Sequence, residues 1–284
     1  MSGALQFGAE YCKRKLTGRY DPVDLNWRGE TLNSVLGSNR TRSRSLQSKT
    51  VIITGAAGGL GSVLSALAAG SGWNAVMLDK NRKGLEQAFD SIDESATGIP
   101  VMYPMDLAGV TPEQVGSMLD AVKQEFGGVH ALVHCAARFE HLSPLEHFDP
   151  AEWLMHMQVN LNAAWLLSAL CLPLMRESGG GRIVFLLEDL AKVAGPLWGA
   201  YGVSKHALRA LAEQLAVECE ASGVEVRGIN PGPLRSALRS RAYHAENPDE
   251  QPDPKVAATK IMRFLEGTSN WPGPIFDLSR QTED

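Results

Sequence analysis

The chain has 284 residues, of which 44% are hydrophobic and 21% are charged, a composition ordinary for a globular protein with a sizeable core. Its formal net charge of −5 gives no reason to expect a nucleic-acid partner. We also expect no membrane span, because no uninterrupted apolar run approaches the roughly 20 residues that one needs, and no signal peptide. The four cysteines show neither Cys-x-x-Cys pairing nor metal-ligand spacing. We therefore expect reduced thiols, no metal site and a cytoplasmic location.

Residues 1–48 differ from the rest of the chain. Basic clusters alternate there with short apolar segments, and the segment ends in a stretch rich in Ser, Asn and Arg that is typical of a linker. We predict an N-terminal extension that is a partly ordered arm or linker. An arm that packs on a neighbouring subunit is the alternative. Residues 49–284 are predicted to form a single domain.

From residue 49 onward, short apolar runs alternate with longer stretches of helical periodicity. The runs predict strands at 51–54, 75–79, 101–105, 131–135, 182–187 and 224–229, with a short last strand near 274–277. The other stretches predict helices at 60–69, 85–92, 112–125, 151–176, 200–221 and 254–266. Strands that alternate with helices indicate βαβ units. We therefore predict a doubly wound α/β fold with a mainly parallel seven-stranded sheet and helices on both faces.

The first predicted strand runs into a glycine-rich turn, Thr54-Gly55-Ala56-Ala57-Gly58-Gly59-Leu60-Gly61, which opens the first helix. Glycines allow positive φ and a close approach of the backbone to a pyrophosphate, and a helix N-terminus supplies free N–H groups. The strand–turn–helix context makes this a Rossmann-type dinucleotide motif. We predict that the cofactor contacts Gly55, Gly58, Gly59, Leu60 and Gly61. A tight turn without a ligand is the alternative.

Asp79 ends the second predicted strand, about 20 residues after the turn, where a carboxylate accepts hydrogen bonds from the adenine-ribose hydroxyls. The same charge repels a 2′-phosphate, so NAD is favoured over NADP as the cofactor. Lys80, Arg82 and Lys83 follow directly, and we interpret them as solvated surface residues. If Asp79 swung away, however, Lys80 could meet a 2′-phosphate.

Tyr201 and Lys205 lie four residues apart at the start of a predicted helix, so both side chains share one helical face. A phenol has an unperturbed pKa of about 10 and needs an adjacent cation to exchange a proton near neutral pH. With the glycine turn, this pair makes residues 49–280 resemble the short-chain dehydrogenase/reductase family. The resemblance implies hydride transfer between a nicotinamide and a small carbonyl or alcohol substrate. Tyr201 would pass the proton, while Lys205 would bind the nicotinamide ribose and lower the tyrosine pKa.

The resemblance also assigns other positions. It places Asn160 where the family has a helix Asn that anchors a water in the proton relay. It places further cofactor contacts at Asp106, Leu107, Cys135, Ala136, Pro231, Gly232 and Ser236. It implies a homodimer or homotetramer that pairs through helices 151–176 and 200–221. The run Trp198-Gly199-Ala200-Tyr201 and residues 235–243 resemble a poorly characterised bacterial branch.

One position departs from the family pattern. The family's catalytic Ser lies thirteen residues before the Tyr, and this chain has Glu188 there, followed by Asp189. A Ser hydroxyl donates to the substrate oxygen, whereas an ionised carboxylate only accepts and raises the pKa of a nearby phenol.

Three functional interpretations of this departure stay open. A fourth possibility is that the Glu188 carboxylate is turned into solvent and has no role in the site. A protonated Glu188 or Asp189 donates in place of the Ser. Alternatively, a carboxylate recognises a polar or cationic group of the substrate. In the third interpretation the protein binds NAD(H) without turnover, as a sensor or scaffold.

Weaker signals complete the predicted site. Residues 233–254 lie where the family carries its substrate lid, and their arginines could clamp an anion; nearby acids favour ordinary ion pairs instead. These arginines are Arg235, Arg239 and Arg241, and the acids are Glu246, Asp249 and Glu250. We expect Phe139, His141, Leu142 and Trp198 to line the mouth of the pocket. His134 is interpreted as a core histidine rather than a base.

Overall fold

Seven strands form one sheet in the computed structural model, which describes residues 48–269 and 271–280. The strands are β1 (Thr50–Thr54), β2 (Asn74–Asp79), β3 (Pro100–Pro104), β4 (Ala131–His134), β5 (Gly181–Leu186), β6 (Val224–Asn230) and β7 (Ile275–Asp277). Their spatial order is β3-β2-β1-β4-β5-β6-β7, and all six pairings are parallel. The predicted doubly wound α/β fold is confirmed, with a sheet that is parallel throughout rather than mainly so. Residues 1–47 of the predicted N-terminal extension lie outside the described residues.

Nine α-helices connect or follow the described strands. They are α1 (Gly59–Gly70), α2 (Arg82–Asp90), α3 (Pro112–Phe126), α4 (Pro150–Met157), α5 (Ala163–Glu177), α6 (Leu190–Val193), α7 (Gly199–Cys219), α8 (Ala237–Ala242) and α9 (Pro254–Glu266). The bounds of α3 follow from local chemistry. Thr111 and Gln114 form a reciprocal capping box, Pro112 occupies the first turn, and Gly127 ends the helix in the left-handed conformation at φ 85°.

Both faces of the sheet are buried. On β1, Val51 and Ile53 point into a core shared with α1, α2 and α9, whereas Ile52 points into a second core shared with α3, α5 and α7. All three side chains are fully buried. A strand covered on both faces is apolar at every position rather than at alternate ones, which explains the continuous apolar run at 51–53.

The predicted helix 151–176 is longer and less regular than expected. It consists of α4, a π-helical turn at Gln158–Asn162, and α5. By length and composition alone, the segment Pro150–Glu177 could cross a membrane, since an 18-residue window has a mean hydropathy of 1.3. Our expectation that no span is long enough counted only uninterrupted apolar residues and did not foresee this. Core helices of globular proteins share this length and composition, and 39% of the window is buried inside the protein.

The carboxyl ends of all the strands lie at one edge of the sheet. Because the strands are parallel, the loops that follow β1 to β6 emerge together there. Open α/β sheets bind ligands at this edge, where the connections diverge to opposite faces. Here the divergence lies between β1 and β4, which are neighbours in the sheet but not in sequence.

Candidate active site

A single cleft at this edge brings together nearly all of the residues predicted from the sequence. Predicted residues that line it are Gly55, Gly58, Gly59, Leu60, Gly61, Asp79, Asp106, Leu107, Cys135, Ala136, Glu188, Tyr201, Lys205, Pro231, Gly232 and Ser236. Predicted Asn160 is not among them, since it lies buried behind the wall of the cleft. The cleft therefore has a glycine-lined end next to β1 and β2, and an end next to Tyr201.

The glycine turn is shaped so that side chains would obstruct it. Gly55 has φ +67°, and a Cβ there would lie 2.7 Å from the backbone nitrogen of Ala136. A Cβ on Gly61 would overlap the carbonyl oxygen of Gly55. No side chain caps the N-terminus of α1, and its first turn holds no acidic residue. The backbone N–H groups of that turn are therefore open to an anionic ligand such as a pyrophosphate.

Asp79 is fixed at the glycine-lined end by backbone hydrogen bonds. Its Oδ2 accepts from the N–H of Ala57 at 3.0 Å, and its Oδ1 accepts from the N–H of Asn81 at 2.8 Å. A swing of this carboxylate away from the cleft would break both bonds. The alternative in which Asp79 leaves and Lys80 meets a phosphate therefore has a structural cost.

Tyr201 and Lys205 lie on α7 and are both almost fully buried, at 2% and 3% exposure. The Lys205 Nζ donates to the carbonyl oxygen of Leu186 at 2.7 Å and lies 5.6 Å from the centroid of the Tyr201 ring. Burial lowers the pKa of Lys205 to about 8, although the charge of Glu188 opposes this decrease. The ammonium is thus held beside the phenol by the end of β5.

The expected lowering of the Tyr201 pKa is not seen. Burial raises this pKa well above 10, and the charge of Glu188 and the hydrogen bond to it raise it further, as does Tyr243. Lys205 is directed at a backbone carbonyl and does not offset these effects. The phenol therefore stays protonated near neutral pH in the free protein.

Glu188 takes part in the site, whereas Asp189 does not. The Tyr201 hydroxyl donates to Glu188 Oε2 at 3.1 Å, and Glu188 is half-buried rather than turned into solvent. Asp189 is exposed and caps α6, accepting from the N–H of Lys192 at 3.3 Å. Of the two carboxylates that follow β5, only Glu188 can act on a ligand bound next to Tyr201.

Asn160 supports the cleft from behind, at the π-helical turn. Its Oδ1 accepts from the N–H of Arg138 at 2.6 Å, and its Nδ2 donates to the carbonyl oxygen of Arg138 at 3.0 Å and to Ser204 Oγ at 2.9 Å. The Ser204 hydroxyl in turn donates to the carbonyl oxygen of Tyr201 at 2.8 Å. Asn160 therefore ties the loop after β4 to the helix that carries Tyr201. Single π-helical turns within helices often mark functional sites.

Aromatic rings form the wall next to Tyr201. The Phe139 ring lies edge-on to the Tyr201 ring at 5.3 Å, and the Trp198 ring lies 5.7 Å from both rings. Tyr243, which sequence reasoning did not assign to the site, packs on Trp198 at 5.8 Å. The Lys192 Nζ and the Arg239 Cζ lie 4.2 Å and 4.6 Å from the centroid of its ring. Contacts of this kind depend on tertiary packing and leave no periodic signal in the sequence.

Two of the three arginines of residues 233–254 pair with acids, as the simpler interpretation predicted, and Arg241 bonds to a backbone carbonyl instead. Arg239 forms two hydrogen bonds to Glu246, at 2.7 and 2.8 Å. Arg235 lies 3.7 Å from Asp249 and 3.4 Å from Asp253, and Arg241 donates to the carbonyl oxygen of Phe139 at 3.1 Å.

The residues expected at the mouth of the pocket were predicted only in part, and one lining residue was missed. Phe139 and Trp198 line the cleft as predicted, but His141 and Leu142 are not among its lining residues; the His141 ring instead stacks with Phe148 at 6.3 Å. Arg138 lines the cleft and was missed; it pairs with Glu152 at 2.8 Å and with Glu140 at 3.2 Å. Its position directly after the predicted Cys135 and Ala136 is the signal that could have identified it.

His134 is a core residue, as predicted. It is 4% exposed, stacks on Phe185 at 4.7 Å and lies 2.9 Å from Ser168 Oγ through Nε2. Burial lowers its pKa to about 3, so the ring is neutral at physiological pH.

Comparison with known proteins gives consistent matches. The family model described as short chain dehydrogenase matches residues 49–247. The uncharacterized oxidoreductase YciK of Escherichia coli K12 is 29% identical over 209 residues, which cover 74% of this chain and 82% of YciK.

Solved structures agree. A structure described as a short chain dehydrogenase of Pseudomonas syringae superposes with a TM-score of 0.76 at 30% identity, covering 82% of this chain and 94% of that one. One from Shigella flexneri, complexed with NADP, superposes with a TM-score of 0.76 at 27% identity, covering 82% and 97%. The NADP in that structure gives no support to the NAD preference predicted from Asp79. The match over most of the described residues identifies the chain as a member of the short-chain dehydrogenase family.

Proposed function

We propose that this protein transfers a hydride between a nicotinamide dinucleotide and a small alcohol or carbonyl compound. The observation that carries the proposal is the position of Tyr201 and Lys205, buried side by side in the cleft that begins at the glycine turn. By its spacing from Tyr201, Glu188 would occupy the position of the family's catalytic Ser, and it accepts a hydrogen bond from the Tyr201 phenol. This departure makes the proposed enzyme an atypical member of its family.

The residues of the cleft fit a dinucleotide. The uncapped first turn of α1 would receive the pyrophosphate, Asp79 would accept from the adenine ribose, and Asp106 and Leu107, which line the same cleft, would contact the adenine. Cys135, Ala136, Pro231, Gly232 and Ser236 line the remaining wall. When bound, the nicotinamide supplies the hydride chemistry.

The protein's own residues would position the substrate and move the proton. Tyr201 presents a hydroxyl in the cleft, beside a wall formed by the Phe139 and Trp198 rings. Lys205 is anchored to the end of β5 and would hold the nicotinamide ribose with its ammonium group. Asn160 and Ser204 fix the backbone of Tyr201. A positioned acid or base of this kind contributes about 10²–10⁴-fold to the rate.

NAD rather than NADP is the proposed cofactor, on the strength of Asp79. Two backbone N–H groups, those of Ala57 and Asn81, hold its carboxylate in the cleft. A 2′-phosphate placed on the adenine ribose would meet that carboxylate.

A second candidate function is NAD(H) binding without turnover, as in a sensor or scaffold. One observation favours it: the Tyr201 proton is donated to Glu188 instead of being free for a substrate. The loss of one preorganised hydrogen-bond donor typically costs about 2.7–4 kcal/mol of transition-state stabilisation. A loss of that size slows an enzyme and does not by itself abolish turnover.

The test is turnover by the full chain over a broad panel of aldehydes and ketones with NADH or NADPH, and of alcohols with the oxidised cofactors. Binding of each cofactor is followed in parallel by fluorescence. We expect slow turnover that is lost in Tyr201→Phe, while Tyr201→Phe still binds cofactor. Tyr103→Phe, at a half-buried tyrosine of β3 outside the cleft, is the matched control and should retain the wild-type rate. Cofactor binding with no turnover across the whole panel would favour the second candidate.

A further inference from the structure

The hydrogen bond between Tyr201 and Glu188 gives the phenol proton a defined partner. Tyr201 is 2% exposed and has a single proton to donate, which points at Glu188 Oε2 at 3.1 Å. The other carboxylate oxygen, Oε1, lies 3.3 Å from the N–H of Asp189, which donates to it. The Glu188 carboxylate is thus oriented by the N–H of Asp189 and by the phenol. A Ser at this position would donate to the substrate, whereas the carboxylate accepts from Tyr201.

Tyr201 lines the cleft, where a bound ligand could reach its phenol oxygen. Within the described residues, no donor to the Tyr201 oxygen is found, and the Lys205 ammonium is directed at the Leu186 carbonyl. A substrate hydroxyl could therefore donate to the phenol while the phenol donates to Glu188. Two hydrogen bonds in series of this kind form a path for a proton.

Charged and titratable groups around Glu188 come from several elements. From α7, Tyr201 and Lys205 face it, and Tyr243, which follows α8, also faces the phenol. The others that line the cleft are Asp79, Lys80, Asp106, Cys135, Arg138, Glu140, Arg239 and Arg241. Arg138 is neutralised by Glu152 and Glu140, and Arg239 by Glu246. Glu188 is the carboxylate in this set that hydrogen-bonds to Tyr201.

A free phenolate is strongly disfavoured in this environment. Burial and Glu188 both raise the pKa of Tyr201 well above 10. Tyr201 can therefore accept a proton from a substrate near neutral pH only if it gives up its own proton at the same time. Glu188, already hydrogen-bonded, is the acceptor within reach.

We propose that Glu188 is a proton-relay residue that acts through Tyr201, accepting the phenol proton during alcohol oxidation and returning it during carbonyl reduction. This inference rests on the proposed function. In oxidation, the substrate O–H bond breaks and its proton passes to the Tyr201 oxygen, while the Tyr201 proton passes to Glu188 Oε2. The substrate C–H bond breaks with its electron pair going to the oxidised nicotinamide dinucleotide, and a C=O bond forms. The Glu188 carboxyl then releases its proton to water in the cleft.

The relay predicts a change in pH dependence that a purely structural role would not produce. Oxidation uses the ionised form of Glu188 and reduction uses the protonated form, so kcat in both directions follows one ionisation. In Glu188→Gln, which keeps the size of the side chain, this ionisation should vanish and turnover should fall about 100-fold in both directions. Glu188→Asp keeps the carboxylate and should restore the ionisation and part of the rate. Asp189→Asn, at the neighbouring carboxylate that caps α6, is the matched control and should leave the profile unchanged.

A second measurement needs neither cofactor nor substrate. The side-chain Cζ of each tyrosine is labelled with ¹³C, and the Tyr201 signal is assigned by its absence in Tyr201→Phe. We expect this signal to report a phenol up to the alkaline limit of the folded wild-type protein, and to titrate at a lower pH in Glu188→Gln. Identical titration of Tyr201 in the two proteins would overturn the relay, whether or not a substrate is found.

The two measurements separate failure of the relay from failure of the proposed function. An active enzyme whose rate and pH profile are the same in Glu188→Gln would overturn the relay alone. A protein that shows the Tyr201–Glu188 coupling by NMR but turns over no substrate would overturn the proposed function, and with it the relay's role in catalysis.

Discussion

At the scale of a single residue, we propose that Asp79 governs the choice between NAD and NADP. Its carboxylate cannot turn away without breaking its bonds to the N–H groups of Ala57 and Asn81. We predict that the wild-type protein binds NADH more tightly than NADPH, and that Asp79→Ser reduces or reverses this difference by removing the negative charge and a ribose acceptor. The measurement is the Kd of each cofactor by fluorescence titration.

Asp106→Asn serves as the control for this prediction. Asp106 also lines the cleft, and its Oδ1 accepts from the N–H of Ala108 at 3.0 Å. A change there should affect the Kd values of NADH and NADPH by the same factor. A wild-type protein that prefers NADPH would show that Lys80 or its neighbours, not Asp79, govern recognition of the ribose.

His134 makes the stability of the fold depend on pH. Burial lowers the pKa of His134 from 6.5 to about 3 in the folded protein, while in the unfolded chain it stays near 6.5. As the pH falls below 6.5, His134 takes up a proton in the unfolded chain but stays unprotonated in the folded protein. The free energy of unfolding therefore decreases, by up to about 1.4 kcal/mol per pH unit, until the pH reaches the folded value.

Urea unfolding of wild type and His134→Gln at several values between pH 7 and pH 4 checks this prediction. Glutamine has no proton to gain in this range and can still hydrogen-bond Ser168, so the variant should lose less stability on acidification even if it is less stable at pH 7. Carboxylates contribute equally to both proteins, and the difference between the two slopes isolates His134. Equal slopes would contradict a buried, neutral histidine.

At the scale of elements, α1 contains two glycines that differ in the space available for a side chain. A Cβ on Gly61 would overlap the carbonyl oxygen of Gly55, whereas a Cβ on Gly70, at the other end of α1, has no atom within 4 Å. We predict that Gly61→Ala distorts the turn, destabilises the protein by about 1–3 kcal/mol and weakens NADH binding. Gly70→Ala should bind NADH normally and gain as much as about 0.5–1 kcal/mol of stability. Thermal unfolding and fluorescence titration of both variants test this, and similar NADH affinities would contradict a pyrophosphate site at the turn.

The long regular elements could be predicted from sequence, and the short irregular ones could not. The apolar run of β1 and the amphipathic pattern of α3 carry their own signals, so their positions were found within a residue or two. The four residues of α6 and the six of α8 are too short to be stable alone. They depend on the Asp189 and Ser236 caps and on packing against Tyr243 and Trp198. The π-helical turn at Asn160 was missed because it interrupts a helix without interrupting its apolar pattern.

The sequence predicted those parts of the candidate site in which a particular residue type at a particular spacing is known for a single chemical role. The glycines, Asp79 and the Tyr201–Lys205 pair belong to that class, and the structure gathers all of them in one cleft. The choice between Glu188 and Asp189 was not predictable, because it depends on how the chain turns after β5. The rise in the Tyr201 pKa likewise follows from burial and from a contact across thirteen residues. Burial and contact are properties of the packed molecule.

At the scale of the whole molecule, the helices α4, α5 and α7 leave large apolar side chains exposed. Leu154 on α4 is 67% exposed, Trp165 on α5 is 55% exposed, and Val217 on α7 is 65% exposed. These helices correspond to the segments predicted to pair subunits. We propose that the protein is a homodimer or homotetramer that buries these side chains, since oligomer interfaces are rich in aromatic and aliphatic residues at their centre.

Trp165→Lys and Val217→Lys test this assembly, because a lysine at the centre of an apolar interface would have to be desolvated without a partner. We expect sedimentation of the full chain to show a dimer or tetramer for the wild type and a shift toward monomer for each variant. Ile99→Lys, at a side chain 50% exposed just before β3, is the matched control and should keep the wild-type mass. If the wild type is a monomer, or if all three variants keep its mass, the face formed by α4, α5 and α7 is not the interface. Since Asn160 and Tyr201 lie on the same helical segments as these side chains, a monomeric variant that also loses turnover would link assembly to the geometry of the cleft.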